Sequence, residues 1–120
     1  MYQLQIEINA LPKSLNKKLR GHWTKNHREN CHWDTMIFQL VRYKLPPTPL
    51  TKAKIKIVRH FWAKMDFDGF VGSLKPVVDA LVTSGVLIDD KWDVLGAWEV
   101  DQVFRPQKDG PLLQIEITEM

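Results

Sequence analysis

Asp66 and Asp68 stand at i and i+2 in Asp66-Phe67-Asp68-Gly69, Lys75 follows within the next turns, and a second acid pair, Asp89-Asp90, closes the same stretch. In extended chain, positions i and i+2 share a face, so the first two carboxylates project together. If the helix between them folds back, Asp89 or Asp90 joins the pair. Two carboxylates about 4 Å apart repel by roughly 4 kcal/mol at an effective dielectric near 20, so a cluster of three needs a cation or a proton. A few oxygen ligands suit Mg²⁺, which keeps several of its waters and bridges to substrate phosphates. Cys and His are missing from the stretch, which disfavours zinc. The structural alternative is that Asp66, Asp68 and Gly69 form a turn and helix cap, and Asp89-Asp90 another turn. Lys75 is what tips the balance: beside carboxylates it offers a mobile positive charge for a developing phosphorane oxygen. Alone, Lys75 with Asp79 is an i,i+4 surface pair.

The elements that must hold these residues can be read in order. Tyr2, Leu4, Ile6 and Ile8 alternate with polar residues as a half-buried strand. A loop marked by Pro12, Ser14 and Asn16 carries Lys13, Lys17, Lys18, Arg20 and His22, and such a loop either tracks a phosphate backbone by charge or is a solvated connection. Trp33, Met36, Ile37, Leu40 and Val41 recur at helical spacing, predicting a helix from Asn26 to Tyr43 with Asn26 and Glu29 as a capping pair. Lys44-Leu45-Pro46-Pro47 ends it. Ala53, Ile55 and Ile57 predict a strand over Ala53 to Trp62, which delivers the chain to Asp66. Phe70, Leu74, Val77, Val78 and Leu81 predict a second amphipathic helix from Phe70 to Ser84. Pro76 must either kink that helix near Gly72 or sit in the first turn of one that starts near Ser73. Gly85 stops it, Val86-Leu87-Ile88 is a short buried extended piece, and Val94 to Phe104 is a strand with Trp98, Val100 and Phe104 on one face. Pro106 to Pro111 reads as a hairpin loop before a last strand through Leu113, Ile115 and Ile117. The order β-α-β-α-β-β gives an α/β (α+β) fold, one domain over residues 1–120, built as a small mixed four-stranded sheet with two main helices.

Composition narrows the classes. With 44% hydrophobic and 26% charged residues the chain reads as an ordinary globular domain. No apolar run reaches membrane-spanning length and Met1-Tyr2-Gln3-Leu4-Gln5 has no signal-peptide plan. The single cysteine, Cys31, permits no internal disulfide, fits a reducing cytoplasm, and is expected to be a buried small apolar residue. His22, His27, Cys31 and His32 match no closed zinc spacing. Residues 1–64 hold 13 Lys and Arg against 3 Asp and Glu, and residues 65–120 hold 4 against 11, which together make the net charge of +3. A basic half beside an acidic cluster suits a polyanion held against a metal site. Of the 5 tryptophans, Trp33 and Trp98 fall on core faces, and Trp23, in the basic region, is the candidate for stacking on an exposed base.

Taken together, these residues resemble the RusA family of Holliday junction resolvases, with its many phage and prophage members. The family pattern is Asp-x-Asp-Asn, a lysine four residues before the aspartate of Asp-Ala-Leu, a glycine, and a closing Asp-Asp. It is matched by Asp66, Asp68, Lys75, Asp79-Ala80-Leu81, Gly85 and Asp89-Asp90. Leu11-Pro12-Lys13-Ser14-Leu15-Asn16, Gln114-Ile115-Glu116-Ile117-Thr118 and the element order are also similar, so the likeness spans nearly the whole chain. Gly69 departs from the usual asparagine, and the longer path from Asp68 to Lys75-Pro76 resembles a phage-type branch. The resemblance implies a homodimeric crossover junction endodeoxyribonuclease of DNA recombination and repair. It implies Mg²⁺, with Mn²⁺ as a substitute, held by Asp66, Asp68 and Asp90 with Asp89 beside them, and Lys75 as the catalytic lysine. Paired nicks in a four-way junction follow from two sites in one dimer. Lys13, Lys17, Lys18, Arg20, Lys25 and Arg28 are the candidates for holding the junction arms. The rival readings are a binding module for branched or single-stranded nucleic acid that does not cut, and a less selective phage nuclease for branched DNA.

Overall fold

The computed structural model describes residues 1–12 and 23–120, with side chains described over 1–12 and 31–120. Strand β1 (Gln3–Ile8) is followed by helix α1 (Trp23–Val41), β2 (Ala53–Phe61), α2 (Phe67–Ser73), α3 (Lys75–Thr83), β3 (Leu95–Phe104), a single 3₁₀ turn (Gln107–Asp109) and β4 (Leu112–Glu119). The mixed four-stranded sheet has the order β1-β4-β2-β3, with β4 antiparallel to both β1 and β2, and β3 parallel to β2. No helix of the described residues is long and apolar enough to cross a membrane.

Period-two alternation builds one face of the sheet into a core. Rows of side chains run across it, Leu4–Ile117–Ile55–Trp98 and Ile6–Ile115–Ile57–Val100, in the observed register. All but the last member of each row are at most 5% exposed. The opposite face is polar: Gln5 donates to Glu116 at 2.6 Å and Lys54 pairs with Glu99 at 3.6 Å. Trp33, Ile37 and Val41 of α1, and Val77, Val78 and Leu81 of α3, complete the core cluster. Burying a leucine, isoleucine or valine side chain contributes about 1.5–3 kcal/mol, so this one face supplies most of the driving force.

Several expectations are corrected here. Helix α1 spans Trp23–Val41, so Asn26 lies inside it and is not its cap. Its buried stripe is 33, 37, 41; Met36 is at the rim, Leu40 is exposed, and Cys31, on the far side, is exposed rather than buried. Trp98 lies on the helix-bearing face as expected, but on β3, one of the two edge strands, the indole stays 39% exposed, and Phe104 at 69% is no core residue. The segment from Pro106 to Pro111 is not a hairpin loop, because β2 intervenes between β3 and β4. Gly110, at φ 76°, serves the reversal in the left-handed region that favours glycine.

Pro76 divides the second helical region in two. Leu74 ends α2, its N–H bonding to the Val71 carbonyl at 3.1 Å, and it opens α3, where Pro76 occupies the first turn. A first-turn proline gives up an N–H that has no helical acceptor there. The added feature is α2 itself, a short helix that starts at Phe67 and brings Asp66 and Asp68 to its N-terminus.

Candidate functional site

Each acid has its own local cause. Asp66 is extended (φ −65°, ψ 158°) and caps α2, its Oδ2 accepting from the Gly69 N–H at 3.3 Å. Asp68 is exposed in the first turn of α2, where the helix dipole favours an anion. Gly69 is buried against the cap: a Cβ there would lie 2.8 Å from Asp66 Oδ1. The capping orientation of Asp66 thus depends on a glycine at the position where the resembling family has asparagine.

The segment that presents these acids is held by side chains from the sheet. Gln102 of β3 accepts from the Met65 N–H at 3.1 Å and donates to the Met65 carbonyl at 2.9 Å, reproducing with one amide the pairing a neighbouring strand would offer. Arg59 of β2 donates to the Gln102 Oε1 at 3.1 Å and to the Ala63 carbonyl at 2.8 Å. Burial lowers the Arg59 pKa. Met65 is the residue before Asp66, so the Arg59–Gln102–Met65 chain positions the cap and, through it, the acids.

Asp89 and Asp90 follow a parallel bridge between Leu50 and Leu87. Asp89 Oδ1 accepts from the Asp90 N–H at 2.7 Å and Oδ2 lies 3.7 Å from Lys91 Nζ. The Asp90 N–H, chiefly, with Lys91 beside it, pulls the Asp89 carboxyl below the ordinary aspartate value. Asp90 faces a cleft that it shares with Lys75, Val71, Leu74, Val78 and Trp98. Lys75 itself rests 3.7 Å from Asp79, as the i,i+4 spacing allows. That pair is exposed and contributes only a few tenths of a kcal/mol, so little holds Lys75 away from the cleft.

Next to this cleft runs a larger groove of about 850 Å³, bounded by Phe67 and Val71 of α2, by Asp90 and Trp92, and by Trp98 and Val100 of β3. Phe67 lies between Asp66 and Asp68 in the chain. Of the four acids only Asp90 lines these two adjoining depressions, with Lys75 in the smaller one; Asp66, Asp68 and Asp89 lie outside both linings. The acids do not form a ligand set: among the described residues no group of three or more His, Cys, Asp or Glu could hold a metal ion. The expected meeting of Asp66, Asp68 and Asp90 is not seen. Asp66 is turned into its helix cap, and Asp89 into the bend with Asp90 and Lys91.

Lys13, Lys17, Lys18 and Arg20 lie outside the described residues, as does His22; Lys25 and Arg28 belong to α1, with side chains outside the described ones, as with Trp23 and His27. Trp33 is a core residue, 2% exposed. Two groove residues went unnoticed in the sequence, Phe67 and Trp92, which are 69% and 85% exposed. The signals for them are present: Phe67 is an aromatic residue flanked by Asp66 and Asp68, and Trp92 is set between Lys91 and Asp93, so each lacks an adjacent apolar residue. No protein-family model matches the chain, and no curated protein matches it.

Proposed function

We propose that this protein is a Mg²⁺-dependent, structure-selective DNA endonuclease that acts on four-way or otherwise branched DNA as a homodimer inside the cell. The observation that carries the reading is the cleft shared by Lys75 of α3 and Asp90 of the connection to β3, next to the groove that Phe67, between Asp66 and Asp68, borders. The resemblance to the RusA family in these same residues supports it, as does the excess of basic residues in the first half of the chain.

A divalent cation would supply a polarised phosphate and an activated water. The carboxylates as they stand do not fit one, so the roles that follow belong to the protein's own groups. The basic half holds DNA through its phosphates and sets the salt dependence. Lys75, released from Asp79, places a positive charge where the scissile phosphate gains negative charge. Arg59 and Gln102 hold the Asp66 turn at a set distance from β3.

The non-convergence of the acids favours a second reading, a module that binds branched DNA without cutting it. One experiment separates the two: a synthetic four-way junction and a linear duplex of the same sequence are incubated with the protein, with and without Mg²⁺. Paired, Mg²⁺-dependent nicks in the junction alone are expected. Cleavage of both substrates would point to a general nuclease. Tight, salt-sensitive binding with no cleavage in Mg²⁺ or Mn²⁺ would replace the enzyme by the binding module.

A further inference from the structure

We propose that the groove between α2 and the edge strand β3 is a binding site for an unstacked nucleobase at a DNA branch point. This rests on the nucleic-acid reading above and supplies its source of structural selectivity.

Three aromatic side chains border the groove, and the chain leaves all of them uncovered: Trp92 is 85% exposed, Phe67 69% and Trp98 39%. They come from a loop, a helix and a strand, so sequence proximity does not account for their gathering. Gly96 and Ala97 line the groove as well and, lacking bulk, keep its β3 wall open. The ligand class that such a setting favours is a flat, weakly polar heterocycle. Every nucleobase has a π-face, and stacking on one exposed aromatic side chain strengthens binding by about five- to 150-fold.

The polar groups match the same ligand. Asp90 borders the groove and forms no ion pair with a cation among the described residues; its side chain lies against that of Asp89, and its carboxylate can still accept from a base amino or imino N–H. Glu99, the other acid of the groove, is engaged with Lys54. Two lysines lie near the groove and can meet the flanking phosphates. The Lys52 side chain packs over Gly96, where a Cβ would meet its Cε at 3.1 Å, and Lys75 faces the adjoining cleft. Asp90, Val71 and Trp98 are common to groove and cleft. A base held in the groove through Asp90 has its own phosphodiester within reach of the adjoining cleft and Lys75. In linear duplex each base is paired and stacked, and extruding one is costly; at a branch point, where continuous stacking is interrupted, the cost is smaller.

The test uses a four-way junction with 2-aminopurine at the point of strand exchange, and a linear duplex carrying the same base, both in EDTA so that nothing is cut. For the wild-type protein, 2-aminopurine emission is expected to change on binding the junction and to stay unchanged on binding the duplex. Trp92→Ala and Phe67→Ala, at exposed positions that the fold does not need, are expected to abolish that change and weaken junction binding about tenfold, with duplex binding unaltered. Trp92→Phe should retain most of the effect. An unaltered 2-aminopurine response in both alanine variants, or equal weakening for junction and duplex, would overturn the proposal. So would conversion of a wild-type dimer to monomer by Trp92→Ala in sedimentation, which would show the groove to be covered by a second copy of the chain. A wild-type protein that binds neither DNA would sink the underlying nucleic-acid reading, an outcome distinct from junction binding with a silent probe.

Discussion

Asp68 and Asp90 are both exposed, so their substitution tests chemistry without disturbing the core. Asp68→Asn and Asp90→Asn are each expected to lower junction cleavage by about a hundredfold or more. Junction affinity should hold or rise slightly, since each change removes a negative charge near phosphates; gel-shift titration beside single-turnover cleavage checks both. Loss of binding with cleavage intact at saturation would remove these residues from the chemistry. Gly69→Ala pushes the Asp66 carboxylate off its cap, because the new Cβ would lie 2.8 Å from Oδ1. The weakened cap and the better helix propensity of alanine oppose each other at about 1 kcal/mol apiece, so urea stability should change little while the orientation of Asp66 changes. Asp89 gives a pH signature. Its folded-state pKa is depressed, so its contribution is present above the ordinary aspartate value of 3.8 and is lost as pH falls through the lower folded value. A carboxyl NMR titration should place the Asp89 midpoint below 3.8, and Asp90→Pro, which deletes the donating N–H, should raise it.

Short elements near the site depend on a few bonds from the sheet. Helix α2 has only 7 residues and is too short to persist alone; Phe70 and the Met65–Gln102 clamp hold it in place. Gln102→Leu keeps the size of the side chain and deletes both bonds to Met65 and the one from Arg59. It is expected to cost about 1–3 kcal/mol, read from urea denaturation, and to lower cleavage more than junction binding, since the Asp66 turn loses its fixed distance from β3. Equal effects on cleavage and binding would mean that the clamp serves only the fold. Pro76 acts in the opposite sense: in the first turn of α3 it costs no hydrogen bond and keeps α2 and α3 from merging into one helix.

The charge asymmetry belongs to the whole molecule. If four to six of Lys13, Lys17, Lys18, Arg20, Lys25 and Arg28 meet phosphates, the logarithm of junction affinity should fall with the logarithm of salt at a slope of about −3.5 to −5.5. Replacing Lys17 and Lys18 together by alanine should flatten that slope by about 2 and leave cleavage at saturating protein unchanged. An unchanged slope would place the DNA elsewhere on the surface.

The sequence by itself determined the element order, the faces of β1, β2 and β4, and the position of Pro76, because alternation, helical spacing and proline geometry are local physics. It also singled out Asp66, Asp68, Lys75 and Asp90 by type and spacing. Only the tertiary structure decided the strand order, which puts β2 between β3 and β4 and makes β3 an edge. An Asp-Gly turn signals a reversal, but which strand lies alongside depends on nonlocal pairing. Trp98 likewise has the right face and the wrong depth, since what covers an edge strand depends on elements from elsewhere in the chain: β1, the other edge, has Leu4 and Ile6 buried. The acids show the limit of spacing: i and i+2 share a face only in extended chain, whereas Asp66 caps a helix and Asp68 lies in its first turn, and the clamp from Gln102, distant in sequence, sets where that turn stands.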